Sequence, residues 1–410
     1  MKAAAAIASN VDVAIVRLTV TEVSNEACIM LRSTLMALCA VLALSGPSWA
    51  QNYDTKAEQA LLLDHGSGTV LFAKNADERV PPASLAKLMT MEVVFDRIRS
   101  GRLQLDELVT ISEKAWREGG ANSGGSTMFA ELGSQVPVED LVRGVIIQSG
   151  NDASIALAEH IGGTEDVFAR LMTERARALG MEDSTFRNST GLPDPEQLVT
   201  MRDMVMLARH LFETYPEFYR LYSEDSFTWN GITQRNRNPL LGENLGADGL
   251  KTGYTEASGY ALVASAVRDG DRLFLAMSGL DSIRERAQEA RSLMSWGTRA
   301  FERRRLFEAE EVVGGARVYG GSSREVGLVA GGPVDIFLPL TDRNDLRASI
   351  VYDGPLQAPI SKGQPVGVLQ VRQGDRVTQE TPLFAAEDVG SGALHQRALD
   401  AAQEALFSWF

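Results

Sequence analysis

A chain of 410 residues with 44% apolar and 23% charged side chains is long enough for two or three domains and a substantial core. Its formal net charge of −14, without any basic run, argues against a general nucleic-acid binder. Two cysteines and four scattered histidines argue against a zinc site and supply no evident Ser-His-Asp triad, and no metal or other cofactor is expected.

Residues 1–50 read as a segment outside the folded body. From Met30 a short positive stretch leads into an apolar run, Leu35 to Leu44, and then into Ser48-Trp49-Ala50. That is the pattern of a secretory signal with a small-x-small cleavage site. The run is too short for a membrane span, which needs about 20 apolar residues. Residues 1–29 are foreign to such a signal, so translation is expected to start at Met30 and the mature chain near Gln51. Cys28 and Cys39 would both be lost, Cys39 as a small hydrophobe of the apolar run, since the Leu38 before it is too large for a lipoprotein site. An exported chain without disulfides relies on its core.

Next in the chain, Ala60–Asp64 and Thr69–Ala73 flank His-Gly-Ser-Gly and predict a hairpin, with His65 as a turn residue. Pro81-Pro-Ala-Ser-Leu-Ala-Lys-Leu-Met-Thr90 follows: an extended approach, then a helix with no Gly or Pro before Gly101. Residues three apart share a helix face, which makes Ser84 and Lys87 neighbours. No other serine has a lysine three residues downstream, and Lys87 is the only charge between Arg79 and Glu92. Such a lysine either snorkels or has a task. Ser84 falls at the helix start, where free N–H groups and the positive dipole end favour developing negative charge. The plainer alternative is a serine N-cap followed by a surface lysine, and this stretch alone favours it.

Leu108–Arg117 predicts a short strand and helix, Glu118–Ser126 a Gly/Ser/Asn-rich loop, and Val138–Gln148 a helix. Ser149-Gly150-Asn151 then makes a tight turn before a helix over Asp152–His160, able to point side chains into a cleft; taken alone it is a capping turn. Glu159 and His160 read as helix surface. Helices follow over Phe168–Leu179 and Arg202–Phe212, and Thr228–Asn238 reads as irregular or hairpin structure. Tyr260–Val267 and Leu273–Leu280 form a hairpin around Arg-Asp-Gly-Asp-Arg, with Lys251-Thr252-Gly253 on a strand beside it. There a glycine permits close backbone approach to a ligand, although taken alone the stretch reads more readily as an edge-strand turn. Ser282–Arg304 predicts a helix whose solvated end carries Arg303–Arg305.

From Phe307 short alternating runs replace helices, which predicts a domain boundary near 306. The expected division is 1–50 signal region, 51–305 main domain, 306–388 small β-rich domain, and 389–410 a C-terminal amphipathic helix. Leu399, Ala402, Leu406, Trp409 and Phe410 share one side of that helix, as in an interfacial anchor, the alternative being a helix docked on the protein.

Ser84-x-x-Lys87, Ser149-x-Asn151 and Lys251-Thr252-Gly253 are each weak signals but occur in an order shared by β-lactamases and penicillin-binding proteins. With Gln148-Ser-Gly-Asn-Asp-Ala, Asp248-Gly-Leu-Lys-Thr-Gly-Tyr-Thr and Pro359-Ile-Ser-Lys-Gly-Gln-Pro-Val-Gly, the chain resembles the D-alanyl-D-alanine carboxypeptidases among the low-molecular-mass penicillin-binding proteins. The resemblance implies an α/β (α+β) fold: a β-lactamase/transpeptidase-like domain with an antiparallel sheet and a helical subdomain, then a small all-β domain. It implies an acyl-enzyme on Ser84, with Lys87 as a base made neutral by burial and by Lys251, and Ser149 relaying a proton to the leaving amine. Asn151 would hold the substrate backbone, and Lys251, Thr252 and Gly253 its carboxylate end. The N–H groups of Ser84 and Tyr254 would form the oxyanion hole. Arg237 and Arg286 fall where the family keeps arginines near the terminal carboxylate. The implied partners are peptidoglycan stem peptides ending in D-Ala-D-Ala, β-lactams as covalent inhibitors, and a membrane surface met through 390–410 on the periplasmic side.

Tyr254 departs from the histidine common at that position, and the terminal helix is less basic than usual. The competing readings are a D,D-endopeptidase, a wall-binding scaffold, and a class A β-lactamase. Against the last, Gly150 replaces the aspartate of S-D-N, and no glutamate motif stands between Asn151 and Lys251.

Overall fold

Strands with alternating inward and outward side chains build the sheet that carries the third motif. A computed structural model of the chain describes residues 3–5, 53–340, 346–374 and 376–394. The chain divides into one unit over Thr55–Arg299 and a second that takes in the chain from Ala300. In the first, five antiparallel strands lie in the order Val70–Lys74, Gln59–Asp64, Asp271–Leu280, Gly259–Arg268, Ala247–Thr255. Leu61 pairs with Ala276 and Leu62 with Leu275, so neighbouring residues face opposite sides. On one side Phe274 meets Phe212 of the helix Met201–Thr214. On the other, Leu62 and Leu273 close on Gly297 at the end of the helix Ile283–Gly297, where a methyl group would sit 2.5 Å from Leu62 Cδ2. Helices thus cover both faces of an antiparallel sheet.

Helices Lys87–Arg99, Val138–Ile146, Asn151–Gly162 and Glu165–Ala178 form the helical part of this unit. Every residue from Lys87 to Phe95 is buried, so the first of these is a core helix, apolar on all sides except where a buried polar group has a partner. Thr164, Thr200 and Ser282 cap their helices by accepting from the N–H three residues on, which fixes where each begins.

The second unit is all β among its described residues. A seven-stranded sheet runs Ala3–Ala5, Leu346–Tyr352, Pro365–Gln373, Arg376–Ala385, Glu325–Ala330, Val312–Tyr319, Leu356–Gln357, and Phe301–Phe307 pairs with Val334–Pro339. Val326, Leu328, Leu369 and Leu383 are at its core. One expectation is corrected here. Arg303–Arg305 do not end a helix but lie on the strand Phe301–Phe307. That helix stops at Gly297, and cross-strand Asp335 meets Arg303 at 3.1 Å and Arg305 at 2.5 Å, which rewards the extended form. Ala3–Ala5 pairs with the strand Leu346–Tyr352; an open sheet edge accepts an extended segment whose small side chains do not obstruct it. The expected signal sequence from Met30 and the expected terminal helix beyond Leu394 lie outside the described residues.

Candidate active site

Ser84 does not cap a helix. It lies in a 3₁₀ turn, Ala83–Ala86, and the α-helix proper begins at Lys87 with no side-chain cap. Its hydroxyl is therefore not spent on the backbone. Ala83 sits at φ +48°, a strained conformation for a residue with a Cβ, at a cost on the order of 1–3 kcal/mol. Two glycines hold the turn in place. A Cβ on Gly191 would lie 1.7 Å from the Ala83 carbonyl oxygen, and one on Gly253 would lie 3.3 Å from the Ser84 nitrogen. The backbone of the Ala247–Thr255 strand thus runs directly beside the Ser84 N–H.

Lys87 is buried, and its Nζ is 3.2 Å from Ser84 Oγ, 2.7 Å from Asn151 Oδ1 and 2.6 Å from the Thr190 carbonyl oxygen. Burial first, and then the guanidinium of Arg237, bring its pKa down to about 7, while Asp152 and Glu165 pull the other way. A neutral amine has two N–H bonds and one lone pair. Asn151 Oδ1 and Thr190 O are carbonyl oxygens that only accept, so they take both N–H bonds. The lone pair is left for the Ser84 hydroxyl. Arg237, which the sequence reading did not name in this role, adds to the repulsion between Lys87 and Lys251.

Ser149 is buried at φ +60°, and its Oγ accepts from Lys251 Nζ at 2.9 Å. Lys251 also donates to the Thr252 carbonyl at 3.1 Å. Its ammonium is held well below the usual lysine range by burial, with repulsion from Lys87, Arg237 and Arg286. The oxygen of Asn151 is committed to Lys87, which leaves its amide N–H₂ as the end free to meet a ligand.

Ser84, Ser149, Asn151, Arg237, Thr252, Gly253, Tyr254 and Arg286 line one cleft of about 590 Å³; Lys87 and Lys251 stand behind its wall. Arg237 donates to Ser126 Oγ at 2.5 Å, and burial lowers its pKa. Arg286 is 6% exposed, its Nε has no partner among the described residues, and burial brings its pKa down to about 10. Its guanidinium lies 5.7 Å from the centre of the Tyr260 ring, and Tyr254 stacks on that ring at 4.3 Å. Among the described residues no carboxylate lines the cleft. Buried cations with an unpaired donor suit an anionic group on a ligand.

The sequence reading did not single out Thr190, Asp152 or Glu165. Thr190 contributes only a carbonyl oxygen, which any residue type could supply. Asp152 follows Asn151 directly and accepts from Thr127 Oγ1, Met128 N and Ala130 N, pinning the segment that follows Gly124, Gly125 and Ser126 in the cleft lining.

Residues 47–281 match the family described as D-alanyl-D-alanine carboxypeptidase, and residues 301–391 match the C-terminal domain of penicillin-binding protein 5. The chain is 38% identical over 381 residues to the D-alanyl-D-alanine carboxypeptidase DacC of Escherichia coli K12, covering 92% of this chain and 95% of that one. Penicillin-binding protein 5 of Haemophilus influenzae has a solved structure that is 38% identical, with a TM-score of 0.70, covering 82% of this chain and 98% of that one. Penicillin-binding protein D2 of Listeria monocytogenes in its ampicillin-bound form is 28% identical with a TM-score of 0.53, covering 60% of this chain and 100% of that one.

Proposed function

The chain belongs to the D-alanyl-D-alanine carboxypeptidase family, and from that premise we propose how its own residues carry out the reaction. It is a serine peptidase that removes the terminal D-Ala from peptidoglycan peptides. Ser84 Oγ attacks the carbonyl carbon of the penultimate D-Ala and passes its proton to Lys87 Nζ. The oxyanion that forms meets the N–H groups of Ser84 and Tyr254, a type of contact worth about 3–4 kcal/mol. Ser149, its oxygen held by Lys251, hands its proton to the leaving amine and takes one in turn from the Lys251 ammonium. The terminal D-Ala departs; water then attacks the ester and gives a proton through Ser149 back to Lys251, while Lys87 returns its proton to Ser84 as that oxygen leaves.

Arg286 and Thr252 receive the terminal carboxylate, with Lys251 and Arg237 adding to the field. Asn151 donates its amide N–H to the substrate backbone. β-Lactams present a carbonyl and a carboxylate in a similar relation, so they acylate Ser84 as well. The exported, periplasmic location and a membrane contact through 390–410 are part of the same reading and are supported by the sequence pattern alone.

The observation that carries this reading is the placement of Lys87, whose two N–H bonds are taken by carbonyls while its remaining position faces Ser84. The test pairs a fluorescent penicillin with a peptide ending in D-Ala-D-Ala. The wild-type protein is expected to form a covalent adduct and release D-Ala, and Ser84→Ala to do neither. A Ser84→Ala protein that still labels or still releases D-Ala sinks the mechanism. Rapid turnover of penicillin without D-Ala release favours a β-lactamase, and an inert folded protein favours a scaffold. The site speaks against the β-lactamase: Asp152 and Glu165, the two carboxylates that act on Lys87, are saturated by protein donors and do not line the cleft where a hydrolytic water would stand.

A further inference from the structure

Glu165 opens the helix Glu165–Ala178, and its carboxylate is buried. One oxygen accepts from the Ser189 N–H at 3.0 Å and from Ser189 Oγ at 2.6 Å; the other meets Lys114 Nζ at 2.7 Å. The carbonyl of Ser189 accepts from Thr90 Oγ1, on the Lys87 helix, at 2.7 Å. The next carbonyl along, that of Thr190, accepts from Lys87 Nζ. Two successive carbonyls of one loop thus grip the Lys87 helix and the lysine itself. The charged group that fixes this loop at Ser189 is Glu165.

We propose that Glu165 is a positioning residue for acylation at Ser84: by anchoring Ser189 it aims the Thr190 carbonyl at Lys87, and so sets which side of the amine is left to face Ser84. The inference rests on Lys87 being the base, as proposed above. A lysine with one carbonyl partner instead of two can turn its lone pair away from Ser84. Displacements of about 1 Å in such a constellation can cost on the order of 100-fold in rate. Glu165 also acts through its charge. The charged groups that act on Lys87 are Arg237 and Lys251, which disfavour its proton, and Asp152 and Glu165, which favour it.

The test is the pH profile of acylation by a fluorescent penicillin, measured on the full chain with Glu165→Gln and Glu165→Asp beside wild type. Glutamine keeps the size but loses the charge, and with one oxygen replaced by an N–H₂ donor it can no longer accept from both Ser189 and Lys114. Its plateau rate is expected to fall about 10- to 100-fold, with the acid limb displaced to lower pH, because a field favouring the lysine's proton has gone. The KM for a D-Ala-D-Ala peptide should stay unchanged, since Glu165 does not line the cleft. Aspartate restores the charge and should return the limb towards its wild-type position. A Glu165→Gln profile that coincides with wild type overturns the proposal, as does a loss of rate with an unmoved acid limb. Should Glu165→Gln fail to fold, Ser189→Ala carries the test. It removes one of the two hydrogen bonds to Glu165 and is expected to lower the plateau at unchanged KM and melting temperature; an unchanged plateau overturns the idea. Absence of labelling in the wild-type protein defeats the reading of Lys87 and Ser84 itself, whereas normal wild-type labelling with an indifferent Glu165→Gln defeats only the positioning role.

Discussion

Lys251 donates a hydrogen bond of 2.9 Å to Ser149 from 102 residues away in the chain, joining a strand of the sheet to the turn before the Asn151 helix. A serine oxygen that already accepts from an ammonium has its own proton free to give. If the pair acts as one relay, Ser149→Ala and Lys251→Met should each lower acylation by about 10²- to 10⁴-fold. The double variant should then be little worse than the worse single one, because removing either member disables both. Penicillin acylation rates across this cycle check it, and effects that multiply would show two independent roles.

The pH dependence of acylation follows from Lys87. It must be neutral to accept a proton, and its pKa lies at about 7, lowered by burial and then by Arg237. The rate should rise with pH through about 7. Removing Arg237 removes a charge that disfavours the protonated lysine, so Lys87 holds its proton to higher pH. The acid limb of Arg237→Ala should therefore move upwards, and Arg237→Lys should bring it back. An Arg237→Ala limb that moves down contradicts the assignment.

The sequence pointed to these residues because side-chain chemistry at fixed spacing leaves a mark. Ser84 and Lys87 had to be a hydroxyl and an amine, and the sheet strands showed their alternation. Thr190 left no such mark, since a backbone carbonyl is common to every residue. The strained φ of Ala83 and Ser149 is imposed by neighbours far along the chain, Gly191 and Gly253 in the case of Ala83, and no local pattern encodes it. The strand Phe301–Phe307 was missed for a related reason: its arginines suit a helix end equally well, and only Asp335, opposite them, decides. The part Arg237 plays in the field on Lys87 had no mark in the sequence, because the fold, and not the spacing, sets which charge comes close.

Arg286 offers a test in which stability and activity should part. A buried guanidinium whose Nε has no partner costs free energy, and a well-packed apolar replacement of similar length often recovers about 1–4 kcal/mol. Arg286→Met is therefore expected to melt at a higher temperature than wild type. The same change should raise KM for peptides with a free terminal carboxylate by about 10- to 100-fold, the loss of a charged hydrogen bond of about 1.5–3 kcal/mol. Peptides with an amidated C-terminus should be indifferent to it. Thermal melts and KM on the two peptides decide, and a destabilised variant with unchanged KM would make Arg286 a structural residue.

Two glycines at the nucleophile should respond very differently to alanine. At Gly191, φ is +83°, and the new Cβ would lie 1.7 Å from the Ala83 oxygen, a backbone atom that cannot turn aside. Strain and collision together predict a loss of about 3 kcal/mol or more, with a clear drop in melting temperature. At Gly253 the new Cβ would lie 3.1 Å from Ala83 Cβ and 3.3 Å from the Ser84 nitrogen, so a shift of a few tenths of an ångström relieves it. Gly253→Ala should fold with nearly wild-type stability. Yet the atoms that must shift are the Ser84 N–H and its neighbours, which the mechanism uses to meet the oxyanion. Its acylation rate should fall about 10- to 100-fold at an unchanged melting temperature, since a small displacement of one such donor is costly. Melting curves and penicillin acylation on both variants separate the cases. A fully active Gly253→Ala protein would mean that the strand's approach to Ser84 serves packing and not chemistry.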